Sequence, residues 1–191
     1  MNITALNSLI RNRRSVFPKQ YIDKEITDET LLQILRNANW APNHRNTEPW
    51  RFKIFKGAGL HKLSNYLGAK YQENYQGDNY SEFKHKKTIK KPLQCAAIIG
   101  ICMQRDPKES VPEWEEIAAI SCAVQNMWLS CSALGIGSYW STPSSITGKN
   151  EIMELREGET CLGLFYMGYW EGKPADSQRG DIKDKIQWIR E

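Results

Sequence analysis

One segment limits what this chain can fold into. From Ile117 to Leu134 there is no charged residue, and apolar or small side chains occur on every side of a helical wheel. Glu115-Glu116 precedes the run and Gly135 follows it, an acidic first turn and a glycine stop. The pattern predicts a helix over Trp114–Leu134. A helix that is apolar almost all round has no wet face, so it must be covered. A membrane span would be longer and cleaner, without Gln125, Asn126 and the interspersed Ser and Cys. Ala118, Ala119, Ser121, Ala123 and Ser130 would let another helix approach closely. A chain of 191 residues has little material to cover such a helix on all sides, which predicts a second copy against it.

The remaining elements follow from periodicity. Ile3, Leu6, Leu9 and Ile10 give a short amphipathic helix over Asn2–Arg11. Thr27 before Asp28 and Glu29 reads as an N-cap, with a helix through Leu31, Leu32, Ile34 and Leu35 that stops before Pro42. Trp50–Phe55 alternates as a strand. Gly57 to about Glu73 reads as helix and then gives way to the polar tract 72–91, expected to be the least ordered part. The cluster Lys84-His85-Lys86-Lys87, with Lys90-Lys91, reads as a solvated loop. Cys95–Met103 is a continuous apolar strand, buried on both faces. Ile136–Trp140 and Cys161–Gly168 are further strands, and Lys149–Leu155 a short helix. The tail from Tyr169 is polar, with Trp188 and Ile189 as anchors. No repeat or linker interrupts the chain. The expectation is a single α+β domain over 1–191, a mostly antiparallel sheet flanked by helices, with a C-terminal arm over about 169–191.

Composition narrows the classes of function. The net charge of +4 is milder than a nucleic-acid binder usually shows, so no nucleic acid is expected as a partner. Met1–Arg11 lacks the apolar core of a secretory leader, and no membrane association is expected. The five cysteines, Cys95, Cys102, Cys122, Cys131 and Cys161, are odd in number and contain no Cys-x-x-Cys. They read as small buried thiols of a reducing compartment, and the protein as cytoplasmic. No spacing of Cys and His suggests a metal.

Three constellations can carry chemistry. Arg13-Arg14-Ser15 follows the first helix and offers two guanidinium forks and a hydroxyl, a set suited to a phosphate monoester; a solvated basic turn is the plain alternative. Ala41-Pro42-Asn43-His44-Arg45-Asn46-Thr47-Glu48-Pro49-Trp50 brackets polar side chains between two prolines, which makes a stiff loop of the kind that displays binding groups; a simple helix-to-strand connection would look similar. Leu134-Gly135-Ile136-Gly137-Ser138-Tyr139-Trp140-Ser141-Thr142-Pro143 leaves a helix and enters a strand. That order is the reverse of a dinucleotide-binding glycine loop and rules out a Rossmann reading.

Taken together, in this order and spacing, the three segments resemble the nitroreductase family over nearly the whole chain. Members open with a helix and Arg-(Arg or His)-Ser. They carry an Ala-Pro-Ser-x-x-Asn-x-Gln-Pro-Trp-like loop and then an Ala-rich helix ending in Leu-Gly-x-Gly-x-x-Trp. His44 and the short chain are similar to the compact branch. The resemblance implies an intertwined homodimer with FMN at the subunit interface and NADH or NADPH as reductant. It implies that Arg13, Arg14 and Ser15 hold the phosphate from one subunit. Pro42, Asn43, His44 and Asn46 would reach the same flavin from the other. Trp140, Ser141 and Thr142 would lie along the isoalloxazine and ribityl side. In the family a late Arg before a final turn ending in Trp also holds phosphate, and Arg179, upstream of Ile186-Gln187-Trp188, takes that place. Two positions depart from the pattern: Glu48 replaces the loop Gln and cannot donate as an amide does, and Asn43 replaces Ser. Trp40 either walls the flavin or packs in the dimer.

In such an enzyme the flavin carries the chemistry and no side-chain nucleophile is needed. His44 is a candidate donor to flavin or substrate, or simply a hydrogen-bonded loop histidine. The implied activity is reduction of small electron-poor acceptors, such as nitroaromatics or quinones. Relatives of this architecture also destroy flavin, dehalogenate or oxidise peptide heterocycles. A basic interaction module without chemistry is a third reading.

Overall fold

The computed structural model describes residues 2–173 and 176–190. Its centre is a four-stranded sheet in the order β1-β2-β4-β3, with β1 at Trp50–Phe55, β2 at Ala97–Gln104, β3 at Ile136–Ser141 and β4 at Glu159–Tyr169. Every pairing between these strands is antiparallel. Among the described residues five α-helices surround it: α1 Ile3–Asn12, α2 Asp28–Ala38, α3 Ala58–Asn74, α4 Glu82–Leu93 and α5 Glu113–Ala133. The α+β architecture is therefore as the sequence predicts.

Strand β2 shows how the sequence builds two cores. Because strand side chains alternate between faces, Ala97, Ile99, Ile101 and Met103 join the core under α2 and α5. Ile98 and Cys102 join the core under α3. All are buried, the state expected of an uninterrupted apolar strand. Gly100 lies between them because Met153 occupies the space a Cβ would need: the Met153 Sδ would be 2.6 Å away.

The helices start where their caps predict. The Thr27 hydroxyl accepts from Thr30 N at 3.2 Å, and Asn2 Oδ1 accepts from Ala5 N at 2.9 Å. Gly135, at φ 69°, ends α5 in the left-handed conformation that glycine adopts without strain.

Four expectations need correction. The Lys-rich tract is not a loop: α4 runs through it, capped by the Ser81 hydroxyl, and docks on α3 where Gly68 leaves room for Ile89. Lys149–Leu155 forms turns and not a helix. There Asn150 uses its own side chain, donating to Ile146 O at 2.6 Å and accepting from Met153 N at 3.1 Å, which competes with helical pairing. Helix α5 buries Ala119, Ile120, Ala123, Val124, Met127 and Cys131, but Trp114, Ile117, Ala118, Ser121 and Cys122 stay exposed. One face of α5 is thus open within a single chain, and Cys122, unlike the other four cysteines, is exposed. Trp188 and Ile189 are not buried in their own chain: Trp188 is 73% exposed, its ring meeting only the adjacent Arg190 guanidinium at 4.9 Å among the described contacts, and Ile189 is 88% exposed.

Candidate active site

The Arg13–Ser15 segment is fixed by the edge strand. Val16 N donates to Ser138 O at 3.1 Å, and Ser15 pairs with Ser138 in a parallel bridge. Gly137 is needed at this crossing, since a Cβ there would sit 2.8 Å from Val16 Cγ1 and 2.9 Å from the Trp170 ring. Trp128 Nε1 donates to the same Ser138 carbonyl at 3.1 Å. The turn after α1, strand β3 and helix α5 therefore converge on one backbone oxygen.

Arg13 sits on that junction. Its guanidinium lies 4.5 Å from the centre of the Trp128 ring, a cation–π contact. Its Nη1 is enclosed without a hydrogen-bond partner. Burial, then Arg14, then Arg179 push its pKa down. The last two causes place both arginines within electrostatic reach, although Arg179 is far along the chain. Arg14 is turned toward the Arg11 and Arg13 carbonyls, with its Nη1 2.9 Å from the latter. Arg179 Nη1 is held by Gln178 O at 3.1 Å and by the Ser177 hydroxyl. An enclosed Arg13 N–H with Arg14 and Arg179 within electrostatic reach suits an anion such as a phosphate monoester, which offers the matching charge and acceptors. Ser15 is exposed beside them.

Trp140, Ser141 and Thr142 continue from the same strand. Gly163 on β4, at φ 138°, makes room for all three: a Cβ there would meet the Ser141 carbonyl at 2.5 Å, Trp140 Nε1 at 2.6 Å and Thr142 Cγ2 at 3.2 Å. Trp140 Nε1 is enclosed and unpartnered. Ser138 to Ser141 spans about 10 Å of strand. A ligand with an anionic end at Arg13 could thus run along β3 toward Trp140.

The proline-bracketed loop lies elsewhere. His44–Asn46 forms a single 3-10 turn, and His44 Nδ1 meets Glu115 Oε2 at 2.6 Å on the first turn of α5. Asn43 Oδ1 accepts from Glu48 N at 3.0 Å. Arg45, Asn46 and Glu48 all have positive φ, between 42° and 54°. Three non-glycine residues in that region within four positions indicate a loop held in one shape against its own preference. Glu48 supports the loop through its backbone N–H, so the loss of the amide side chain leaves this bond intact. Pro42, His44 and Asn46 are exposed, and Trp40 is 86% exposed.

The structure brings together Arg13, Arg14, Arg179 and the end of β3, but not these with the 42–46 loop. Glu115 and Trp128 stand at opposite ends of α5, about 20 Å apart at the helical rise. Sequence reading missed Trp128, Glu115 and Gly163. Trp128, an indole in the second half of an otherwise aliphatic helix, was the one signal in the chain for the first. Glu115 and Gly163 gain their roles only from tertiary contact.

Comparison with known proteins identifies the family. The Nitroreductase family profile matches residues 10–169. The Bacillus subtilis protein named "Putative NAD(P)H nitroreductase YfhC" is 27% identical over 189 residues, covering 96% of this chain and 93% of that protein. The crystal structure of a nitroreductase-like family protein from Bacillus cereus superposes with a TM-score of 0.80 at 27% identity, covering 100% of this chain and 99% of the other. The FMN-dependent nitroreductase NfnB from Mycobacterium smegmatis, solved with NADPH, shares the fold with a TM-score of 0.79 at 17% identity, covering 98% and 99%. Among the described residues no helix is long and apolar enough to cross a membrane. With the profile spanning most of the chain and the fold shared end to end, this chain belongs to the nitroreductase family.

Proposed function

We propose that this chain is an FMN-dependent oxidoreductase that takes electrons from NADH or NADPH and passes them to small electron-poor acceptors such as nitroaromatics or quinones. The observation that carries this reading is the arginine cluster around the unpartnered Arg13 Nη1, at the start of a strand that leads to Trp140. FMN, when bound, supplies the two-electron chemistry. The residues of the chain bind and orient it. Arg13, Arg14, Ser15 and Arg179 hold the phosphate, and Trp140, Ser141 and Thr142 line the ring and ribityl side.

The second half of the site comes from another copy. His44 sits at the N-terminal turn of α5 and Arg13 in its C-terminal half, about 20 Å apart along the helix, which favours a site completed by a second copy. The open face of α5 and the exposed apolar side of α1, with Ile3 67% exposed, support a homodimer. Trp40, exposed beside the loop, serves the same interface. His44 Nδ1 is engaged with Glu115, which leaves Nε2 for a ligand. A lone histidine held in this way orients and donates, and no covalent role is assigned to it. A cytoplasmic location completes the proposal.

The test is direct. The purified protein should be yellow, release FMN on denaturation and bleach when NADH or NADPH is added without oxygen. Colourless protein that cannot be loaded with FMN would end the reading, and flavin that binds but is not bleached would end the reductase part of it.

A further inference from the structure

The cysteines differ in their surroundings. Cys122 is exposed. Cys95 and Cys131 are buried apart, and burial pushes each thiol up to about 12. Cys102 and Cys161 are buried together. They are partners in the register of β2 and β4, both are wholly buried, and both belong to the core on the α3 side of the sheet.

The backbone hydrogen bonds fix how closely this pair meets. Gly148 N donates to Cys161 O at 2.8 Å, and Cys161 N donates to Gly148 O at 3.0 Å. In an antiparallel strand the N–H and C=O of one residue point to the same side, so Cys161 turns both away from β2. Cys102 turns its own toward β1, in phase with Gln104, whose N–H donates to Pro49 O at 2.8 Å. The two cysteines are therefore a non-hydrogen-bonded pair, the kind whose side chains approach most closely, with Cα atoms about 4.5 Å apart. Disulfides span Cα separations of about 4.4–6.8 Å.

The two sulfurs are unequal. The Cys102 thiol donates a hydrogen bond to the Cys161 sulfur, and this bond, then burial, hold the Cys102 pKa up. The same bond, received, lowers the Cys161 pKa against the effect of burial, and Asn150 adds to it. Asn150 also lines an open cleft of about 500 Å³ beside the turns at 149–157. A residue of the cleft wall thus touches the sulfur that ionises first. A buried thiol on its own is inert, whereas a thiolate that faces a second thiol has a resolving partner in place.

We infer that Cys102 and Cys161 form an oxidisable dithiol that a hydroperoxide converts reversibly into a cross-strand disulfide. With hydrogen peroxide, the Cys161 thiolate attacks one oxygen, the O–O bond breaks and hydroxide leaves, which makes Cys161 a sulfenic acid. The Cys102 sulfur then attacks the Cys161 sulfur, the S–S bond forms and water leaves. The hydroxide takes up the proton that Cys161 lost. In sum, two thiols and one peroxide give one disulfide and two waters, and a thiol reductant returns the two electrons.

The test uses the folded protein carrying Cys122→Ser, which removes the exposed thiol and leaves four cysteines. Hydrogen peroxide is added, the remaining thiols are alkylated in denaturant, and the sites are mapped by mass spectrometry. Two of the four thiols should become unavailable and appear as a linked Cys102–Cys161 peptide, at least about tenfold faster than Cys95 or Cys131 is modified. Dithiothreitol should restore all four. With Cys102→Ser added, Cys161 should stop at a sulfenic acid that dimedone traps; with Cys161→Ser added, Cys102 should stay unmodified over the same time. If either of these variants fails to fold, the map of the Cys122→Ser protein decides alone. Four thiols still alkylated after peroxide, a linkage to Cys95 or Cys131 instead, or a Cys102–Cys161 linkage that forms only after unfolding in urea would each overturn the assignment. Neither bound flavin nor turnover enters the readout, so loss of the oxidoreductase reading would leave the result standing.

Discussion

At the scale of single residues, Arg13 lies on an indole, has Arg14 and Arg179 within electrostatic reach and keeps an enclosed N–H without a partner. Arg13→Lys keeps the charge but loses the planar fork. The loss of a charge-assisted contact is worth about 1.5–3 kcal/mol, or roughly 10- to 150-fold in affinity. Both Arg13→Lys and Arg14→Ala should therefore weaken FMN retention by that order, measured by fluorescence of released flavin, with melting curves near those of the parent. A collapsed melting curve in either variant would make that arginine structural. A second residue argument concerns Glu159, buried at the start of β4. Burial pushes its carboxyl pKa up, but Lys53 Nζ at 2.9 Å and the Arg156 N–H at 3.1 Å outweigh that, and the net shift is downward. A depressed folded pKa means that the stabilisation is complete above the unfolded value, about 4.3, and is lost as pH falls through the lower folded value. Glu159→Gln should cost about 1.5–3 kcal/mol at pH 7. Its stability gap to the parent in urea titrations should narrow below pH 4, and a gap independent of pH would refute the assignment.

At the scale of elements, the strands and capped helices were legible because each depends on local chemistry. Thr27 marks α2, the apolar run 97–103 marks β2, and Gly135 ends α5. Helix α4 was not legible, since the lysines that fill it hide the two features that hold it in place: Ile89 against Gly68, and the Ser64 hydroxyl donating to Ile89 O at 2.7 Å. The arginine pair proposed for the site could be picked out in the sequence because guanidinium and phosphate match as chemical types. The Trp128 platform could not, because it is created when β3 and α5 share the Ser138 carbonyl. Gly163 shows the same limit. In the sequence it is one of two glycines inside an apolar strand, yet in the fold it is the gap that admits Trp140. Gly163→Ala would add a Cβ 2.5 Å from the Ser141 carbonyl at a φ of 138°. It should destabilise the protein by about 2–3 kcal/mol and displace the indole, seen as a shift in tryptophan emission. A variant with parental stability and emission would show that β3 can move away at little cost.

At the scale of the whole molecule, the two halves proposed for the site lie apart in one chain. One half stands at the C-terminal end of α5, where Arg13 lies on Trp128. The other stands at its N-terminal end, where His44 meets Glu115, about 20 Å away. Rotation of a second copy about a two-fold axis can bring the second half of one chain to the first half of the other, and it repeats the arrangement at a second site. Exposed Trp40, the open side of α5 and the uncovered Trp188 and Ile189 are the surfaces such a partner would cover. This arrangement makes a prediction that no single-chain site can imitate. Arg13→Ala damages the phosphate half, and a His44→Ala/Asn46→Ala double variant damages the loop half. Each homodimer then contains two damaged sites. When the two variants are unfolded together and refolded as a mixture, about half of the dimers are mixed, and each mixed dimer carries one doubly damaged site and one intact site. Roughly one quarter of all sites should be restored, with NAD(P)H-dependent flavin bleaching recovering toward that fraction of the parental amplitude. If both halves of the site came from one chain, every site in the mixture would keep its own damage. The mixture would then show only the average of the two variants, and the shared site would have to be abandoned.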